Sequence, residues 1–409
     1  MDLYKKGELN CYIKFIKTWK VFTSIYKFRK QVAQKIRLKP TKSQIEKFLQ
    51  FSGTARFTYN ECLAYKISQY KQGNQTNIQD CIKHIQELKA TEEYSWIKET
   101  PEAITKQAIR DLDKAYKNFF KRGNKGFPKF KRKGKCNVSF YQRTDKFRQI
   151  NSTHIKITGI KESVKCSKCI IPNKVVNTRV SFDGKYWYLS YTYEKDIDTS
   201  PNTEEIIGVD LGIKDLAVCS NGKTYRNINK DRIIKQLEKR KKRLQRQVAR
   251  KYQLNKQGSK FVKTENIKKL EQKIRLLDRR LTNIRNTYIH TMTKELVRTK
   301  PKAIVIEDLN VSGMMKNRHL SKAIQQQEFR KCRTQLEYKC KLKNIELVVA
   351  DRYFPSSKRC SCCGNIKKDL KLKDRIYHCN WCGAELDRDF NASKNLEKYY
   401  EERKSQKAS

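Results

Sequence analysis

The chain has 409 residues, and 93 lysines and arginines against 42 aspartates and glutamates leave a formal charge of +51 at pH 7. An excess of that size repels itself and requires a polyanionic partner, for which nucleic acid is a better match than a membrane surface or an acidic protein. Intrinsic disorder is excluded by an apolar content of 37%, including 4 Trp, 21 Tyr and 17 Phe, and by only 15 Gly and 7 Pro. No stretch approaches the roughly 18 uninterrupted apolar residues of a spanning helix. The apolar segment Tyr12–Phe28 is broken by Lys14, Lys17, Lys20 and Lys27, which argues against a signal peptide. Fourteen cysteines in such a chain predict a reducing compartment, cytoplasmic and nucleoid-associated in a prokaryote, with metal-bound or buried thiols rather than disulfides.

In chain order, residues 1–31 read only as a basic N-terminal extension. Val32, Ala33, Ile36 and Leu38 predict a strand ending at Pro40, and Thr41 caps a helix carrying Ile45, Phe48 and Leu49. A second helix is expected through Tyr59, Leu63 and Ile67. Thr100-Pro101-Glu102 supplies a cap, a first-turn proline and an acid suited to a helix N-terminus. The helix it opens has an apolar face of Ile104, Ala108, Leu112, Ala115 and Phe119, with Gly123 as its stop. From Lys121 to Lys135 glycines and basic residues alternate with Phe127 and Phe130. That interleaving suits phosphate contact with base stacking; the plain alternative is a solvated loop whose phenylalanines anchor it to a core. Val138–Tyr141, Ile155–Thr158, and the hairpin of Arg179–Phe182 with Tyr186–Tyr193 around Asp183-Gly184 then predict a small β-barrel or sandwich.

Beyond the linker Ser200-Pro201-Asn202, strands Ile206–Val209, Leu216–Val218 and Lys223–Tyr225 predict an antiparallel meander. Two long helices follow. The first carries nine Lys and Arg between Asp231 and Arg250, and the second repeats Ile267, Leu270, Ile274, Leu277, Leu281, Ile284 and Tyr288 at the spacing of a coiled-coil seam. Strand Ala303–Ile306, a helix near Gln325–Leu342, strand Ile345–Ala350, a cysteine-rich insert and a helix from Phe390 complete the order.

Cys360-x-x-Cys363 and Cys379-x-x-Cys382 are separated by 15 residues, within the spacing of a four-cysteine zinc ribbon, and each pair is followed by glycine, Gly364 or Gly383. Four thiolates close a zinc site, so its role is structural. Cys362 is a competing fifth thiol, and His378 packs or faces solvent. Cys166 and Cys169 lack a second pair within ribbon distance and read as reduced thiols.

Acids stand at the ends of two apolar strands and at one helix start. Asp210 closes Ile206-Ile-Gly-Val-Asp, Glu307 closes Ala303-Ile-Val-Ile-Glu, and Asp387 or Asp389 sits at a helix start. A charge ending a buried strand costs several kcal/mol unless it is paired or holds a cation. Acids brought to one sheet edge repel, and divalent metal is the usual compensation, with two Mg²⁺ ions bridging a scissile phosphate. Asp308 should face away from Glu307. Asp351 is an auxiliary candidate, and an N-cap role is the plain alternative for Asp387 and Asp389.

Ile36-Arg-Leu-Lys-Pro-Thr41, Ala55-Arg-Phe-Thr-Tyr-Asn60, Leu112–Phe120, Gly126-Phe-Pro-Lys-Phe-Lys131, Gly208–Lys214, Phe354-Pro-Ser-Ser-Lys358, the cysteine pairs and Asp387–Ala392 together resemble the transposon-encoded TnpB proteins, relatives of the type V CRISPR effectors, from Val32 to Leu396. The resemblance implies a multidomain α+β chain. Its parts would be an RNase H-like (RuvC) α/β nuclease domain at 201–355 and 384–400, a zinc-ribbon target-nucleic-acid-binding insert at 356–383, a helical recognition domain at 41–128, a β-barrel wedge domain at 32–40 and 129–200, and a tail at 401–409. It implies catalytic, Mg²⁺-holding roles for Asp210, Glu307 and Asp389, and Zn²⁺ ligation by Cys360, Cys363, Cys379 and Cys382. It also implies a transposon-derived guide RNA and a target DNA duplex bearing a short adjacent motif. Lys106, Gln107, Phe127, Lys129 and Lys131 are candidate nucleic-acid contacts, although an exposed helix face would carry the first two as well. The implied activity is RNA-guided DNA cleavage. The alternatives are a guided DNA-binding repressor without cleavage, or a compact type V CRISPR effector. A strand-transfer transposase is disfavoured, because its usual acid order is Asp, Asp, Glu.

Overall fold

The computed structural model describes residues 29–121, 126–371 and 374–408. The expectations for the N-terminal extension before Arg29 and for Gly123 lie outside the described residues. The chain divides into two compact units, Gln31–Lys195 and one built on Asp196–Ser409.

In the first unit, strand β1 (Arg29–Lys39) leads into helix α1 (Lys42–Lys71). Thr41 starts α1 with a capping box: its hydroxyl accepts the Gln44 N–H at 3.3 Å, and Gln44 Oε1 accepts the Thr41 N–H at 3.1 Å. Two helices were expected here, and the structure has one of 30 residues. Gly53 weakens it by about 1 kcal/mol, but neither proline nor a cap interrupts the hydrogen-bond ladder. Helices α2 (Ile78–Ala90) and α3 (Glu102–Phe120) pack on α1 through Tyr59, Leu63, Ile85, Ile109 and Leu112. Thr100 does not cap α3; its hydroxyl bonds Thr54 Oγ1 at 2.9 Å, and Pro101 takes the cap position without a side-chain bond.

Strands β2 (Ser139–Tyr141), β3 (Arg148–Asn151), β4 (His154–Lys156), β5 (Val164–Cys166), β6 (Val175–Phe182) and β7 (Trp187–Asp196) join β1 in one sheet, ordered β2-β6-β7-β1-β5-β4-β3. The β6–β7 hairpin turns at Asp183-Gly184, where Gly184 has φ +93° and Asp183 Oδ1 accepts the N–H groups of Lys185 and Tyr186. Past β2, Gln142 exchanges two hydrogen bonds with Thr158, just past β4 (2.7 and 3.0 Å), so the sheet curls, its ends linked by side chains. Phe48 and Phe51 of α1 close the core against Phe140 and Trp187, with ring centroids 5.0–5.4 Å apart.

In the second unit, β8 (Ile206–Asp210), β9 (Asp215–Cys219) and β10 (Thr224–Arg226) form the meander. Helices α4 (Arg232–Leu254) and α5 (Glu265–Arg298) follow as an antiparallel pair, with β11 (Lys256–Gln257) and β12 (Lys260–Phe261) at the tip between them. Leu237 packs with Leu277 and Leu281 along the seam, and Arg285–Glu238 at 2.8 Å and Lys241–Asp278 at 2.5 Å tie its flanks. Then come β13 (Ala303–Glu307), α6 (Val311–Met314), α7 (Ser321–Gln327), α8 (Phe329–Lys343), β14 (Glu346–Ala350), β15 (Ile376–His378), β16 (Glu385–Asp387) and α9 (Arg388–Ala408). The single helix expected near Gln325–Leu342 is two, broken at Glu328 with φ +52°. Tertiary bonds hold the chain there: the Gln326 carbonyl accepts from Asn229 Nδ2 at 3.2 Å, and the Gln327 side chain donates through Nε2 to Gly212 O at 3.0 Å.

The sheet order is β10-β9-β8-β13-β14, with β8, β13 and β14 parallel and the meander antiparallel. Alternation assigns the faces. Ile207, Val209, Ile304 and Ile306 enter the core formed with α5 and α8, whereas Ala303 and Val305 pack with Leu396 and Tyr400 of α9. Gly208 lies on the α9 side because nothing larger fits: a Cβ there would stand 2.0 Å from Ser393 O and 2.6 Å from Glu397 N.

Candidate active site and cysteine cluster

The same alternation sends Asp210 and Glu307 to the α9 face. In the parallel register Ile306 lies opposite Val209, so the next residues, Glu307 and Asp210, end adjacent strands side by side. Asp389 stands in the first turn of α9, near enough for its charge to act on both Asp210 and Glu307. Burial pushes the Asp210 carboxyl well above the usual range, with the charges of Glu307 and Asp389 adding to it and Arg388 opposing it. Burial also raises Glu307; the Ser356 hydroxyl, which donates to Glu307 Oε1, and the Arg388 charge pull it back, while Asp389 pushes it up. The three acids therefore form one electrostatic cluster, and for Asp210 and Glu307 ionisation is costly without a cation.

The neighbouring acids have other tasks. Asp387 caps α9, its Oδ1 accepting the N–H groups of Asp389 at 2.9 Å and Phe390 at 3.1 Å, and it pairs with Lys214 at 3.6 Å. Asp308 turns to the opposite face, where Arg333 (2.9 Å) and Arg352 (2.5 Å) bind it and hold its carboxyl below the usual range. Asp351 makes a turn by accepting the Tyr353 N–H at 2.8 Å. Beside Glu307 opens a groove of about 690 Å³ whose lining includes Asn310, Arg330, Arg333 and Arg352. Ser356, Arg388 and Gly208 were not singled out from the sequence. All three lie inside motifs that carry the resemblance, but only Gly208 carries a physical signal of its own, a glycine inside an otherwise apolar strand.

Cys360, Cys363, Cys379 and Cys382 gather with all four sulfur atoms within 4.8 Å of one another. The Cys360–Cys382 and Cys363–Cys379 pairs are 3.7 and 3.6 Å apart. A tetrahedron with Zn–S bonds of about 2.3 Å has edges of about 3.8 Å, so the quartet fits zinc. Each pair sits on a tight turn: Gly364 N–H donates to Cys360 O and Gly383 N–H to Cys379 O, both at 3.0 Å, with φ of +81° and +70° at the glycines. Backbone N–H groups of Cys382 and Trp381 hold the Cys379 thiol down to about 6. Cys362 is exposed outside the quartet, and His378 is exposed beside Glu385 at 3.5 Å. The Cys166 and Cys169 sulfurs are 3.9 Å apart, and among the described residues no third Cys, His or carboxylate ligand joins them.

Within the Gln31–Lys195 unit, Gln107, Asp111, Lys131 and Arg179 line a cavity of about 270 Å³. Gln107 donates to Asp111 at 3.0 Å, and Arg179 grips the same carboxylate at 2.7 and 2.8 Å. Lys131 is more anchored than its basic motif suggests. Its ammonium lies 3.6 Å over the Tyr59 ring, burial lowers its pKa, and Asn60 brackets its backbone at 2.7 and 2.9 Å. Lys106 pairs with Glu102 at 2.8 Å. Phe127 is half-exposed, edge-on to Phe119 and Tyr116 at 5.5 and 5.6 Å, and Lys129 is exposed.

Three family models match this chain: a Cas12f1-like TNB domain at residues 329–396, a probable transposase of the OrfB IS605 type at 188–318, and a helix-turn-helix domain of that type at 30–75. A Streptomyces pristinaespiralis protein whose name reads RNA-guided DNA endonuclease is 31% identical over 370 residues, covering 89% of this chain and 88% of its own. The chain belongs to the TnpB family. A second TnpB-family relative, the Escherichia coli K12 protein InsQ, with the same naming, is 28% identical over 381 residues, covering 89% of this chain and 91% of its own. A Cas12f1 structure solved by cryo-electron microscopy with sgRNA and target DNA superposes with a TM-score of 0.56 at 16% identity, covering 87% of this chain and 83% of that one. It shares the mixed α/β fold with a curled sheet. Among the described residues, no helix of this TnpB-family chain is long and apolar enough to cross a membrane.

Proposed function

We propose that this TnpB-family chain is an RNA-guided DNA endonuclease of a transposable element, cutting motif-adjacent target DNA by phosphodiester hydrolysis at Asp210, Glu307 and Asp389. The observation that carries this reading is the convergence of the three carboxylates on one sheet face, with Asp210 and Glu307 resisting ionisation. An all-oxygen, acid-rich donor set suits Mg²⁺. Two bound Mg²⁺ ions would supply an activated water and stabilise the leaving oxygen.

The chain's own residues do the rest. Asp210 and Glu307, fixed at strand ends, and Asp389, fixed on α9, present their carboxylates from rigid elements. Arg330 is exposed on the groove beside Glu307, where it would hold a phosphate of the strand being cut. The cysteine quartet holds one structural Zn²⁺ in a ribbon at 356–383 that binds target nucleic acid. Residues 201–355 and 384–400 form the RuvC-like nuclease domain, 41–128 the recognition domain, and 32–40 with 129–200 a wedge domain whose curled sheet is a barrel. Phe127 and Lys129 contact nucleic acid from the exposed loop. The guide RNA is transposon-derived, and a charge of +51 suits an RNA bound together with a DNA target.

The test is cleavage of a DNA library by the protein purified with its RNA. Cutting should require that RNA, a motif beside the paired sequence, and Mg²⁺, and should vanish in Asp210→Ala. Cleavage that persists in Asp210→Ala sinks the site assignment, and cleavage that needs no RNA sinks guidance.

A further inference from the structure

We propose that Ser356 is a positioning residue for Glu307, and that the loop carrying it ties the acid cluster to the cysteine quartet through one face of α9. This rests on the reading of Glu307 as a metal-holding acid.

Ser356 is 5% exposed, and among the described residues its hydroxyl has one hydrogen-bond partner, Glu307 Oε1. A hydroxyl that donates to one carboxylate oxygen leaves the other oxygen to face outward and fixes the rotation of the group. The serine is itself held. Its carbonyl accepts from Asn395 Nδ2 at 2.8 Å, and its N–H donates to Phe354 O at 2.8 Å. Asn395 also donates to Arg359 O at 2.6 Å, and Asn391 donates to the same carbonyl at 2.7 Å. The loop then passes into Cys360. At the next residue, Asn391 Oδ1 accepts the Ser361 N–H at 2.8 Å, and Lys398 donates to Ser361 O.

Residues 391, 395 and 398 follow the i, i+4, i+7 spacing of one helix face. Asn391 and Asn395 are buried and bonded to backbone, so they fix where the loop runs rather than solvate the helix. The helix that bears Asp389 thus also sets the position of Ser356, and Ser356 sets the rotation of Glu307. The same helix is seated on β8 by Gly208, two residues before Asp210. All three acids are referred to a single rigid element, and Cys360 is attached to it within five residues of Ser356.

The Ser356 hydroxyl bonds Glu307, whereas the backbone flanking Cys360 is held by Asn391, Asn395 and Lys398 of α9. Ser356→Ala should therefore weaken metal binding at the acids without loosening the quartet, whereas Asn395→Ala should disturb both. The test is titration of Mn²⁺ against the RNA-bound protein, read by electron paramagnetic resonance, with the Glu307→Ala complex on the same RNA as background. Zinc content and melting temperature are measured in parallel. Ser356→Ala should lose about tenfold in site-specific Mn²⁺ affinity, the usual scale for a residue that orients a ligand, while keeping one zinc per chain and the wild-type melting temperature. Wild-type Mn²⁺ affinity in Ser356→Ala, or loss of zinc along with it, would overturn the proposal. If Glu307→Ala itself binds Mn²⁺ and cleaves like the wild type, the metal-site reading fails instead.

Discussion

The cysteine quartet and the carboxylate trio are both ligand clusters, and they are built in opposite ways. The quartet is made locally: two tight turns with left-handed glycines bring four sulfurs together within a short stretch of chain, already at the edge lengths of a zinc tetrahedron. The trio is assembled from two strand ends and a helix start far apart in sequence, and like-charge repulsion and burial oppose it. A closed, locally built cluster suits a structural ion. An open, strained one suits an ion that must also reach substrate.

The largest effect should come from breaking the strained cluster. Asp210→Ala, Glu307→Ala or Asp389→Ala should each lower cleavage on the order of a thousandfold or more, since metal stabilisation of transition-state charge is worth several kcal/mol. Circular dichroism and zinc content should stay at wild-type values. An equal loss from Asp308→Ala would show that proximity to Glu307, rather than membership of the cluster, is what counts.

Breaking the locally built cluster should have the converse signature. Cys363→Ser or Cys379→Ser should abolish zinc retention, because ligand binding and local folding are coupled in such sites. Metal analysis should fall from one zinc per chain to near zero, and proteolysis should open the insert first. Retention of zinc in both variants would remove the quartet as its site.

The joint between the two clusters is the seat of α9 on β8. Gly208→Ala should destabilise the second unit by about 3 kcal/mol or more, since the added carbon meets backbone atoms that cannot rotate away. Thermal unfolding should show it, and a wild-type melting temperature would mean that α9 is not seated as closely as the geometry requires.

How much of this was readable from sequence follows from the same contrast. The quartet is legible because its ligands and turn glycines lie within one short motif. The acids are legible as charges where apolar runs end, because alternation carries Asp210 and Glu307 to one face and Asp308 to the other. Residue type and position alone could not tell Asp387 from Asp389, since either can cap a helix, and only the resemblance pointed to Asp389; the bonds from Asp389 N–H and Phe390 N–H assign the cap to Asp387. The Gln107–Asp111 bond is an i, i+4 contact within α3 that the helix spacing already offered, whereas Lys131 looked like a free polar group because its partner, Tyr59, is fixed only by tertiary packing. The break at Glu328 was hidden for the same reason, and so was Ser356, whose partner lies 49 residues away.

The smallest predicted effect bears on the strain itself. Asp210 and Glu307 have folded-state carboxyls raised by burial and by like charge, so the folded chain keeps protons that the unfolded chain has released. Their contribution is complete below the ordinary carboxylate range and is lost as pH rises through the raised values, so metal-free protein should grow less stable on going from mildly acidic to neutral pH. Asp210→Asn removes one of the clashing charges. It should flatten that decline and, at neutral pH without metal, melt higher than the wild type; each kcal/mol of relief corresponds to about 2–4 °C in a unit of this size. Adding Mg²⁺ should narrow or reverse the gap, because only the wild type keeps the full ligand set and gains from binding. Melting curves from pH 5 to 8, with and without Mg²⁺, check this. Parallel curves for the two proteins would mean that the trio is not strained, and the contrast with the cysteine quartet would then reduce to one of sequence separation alone.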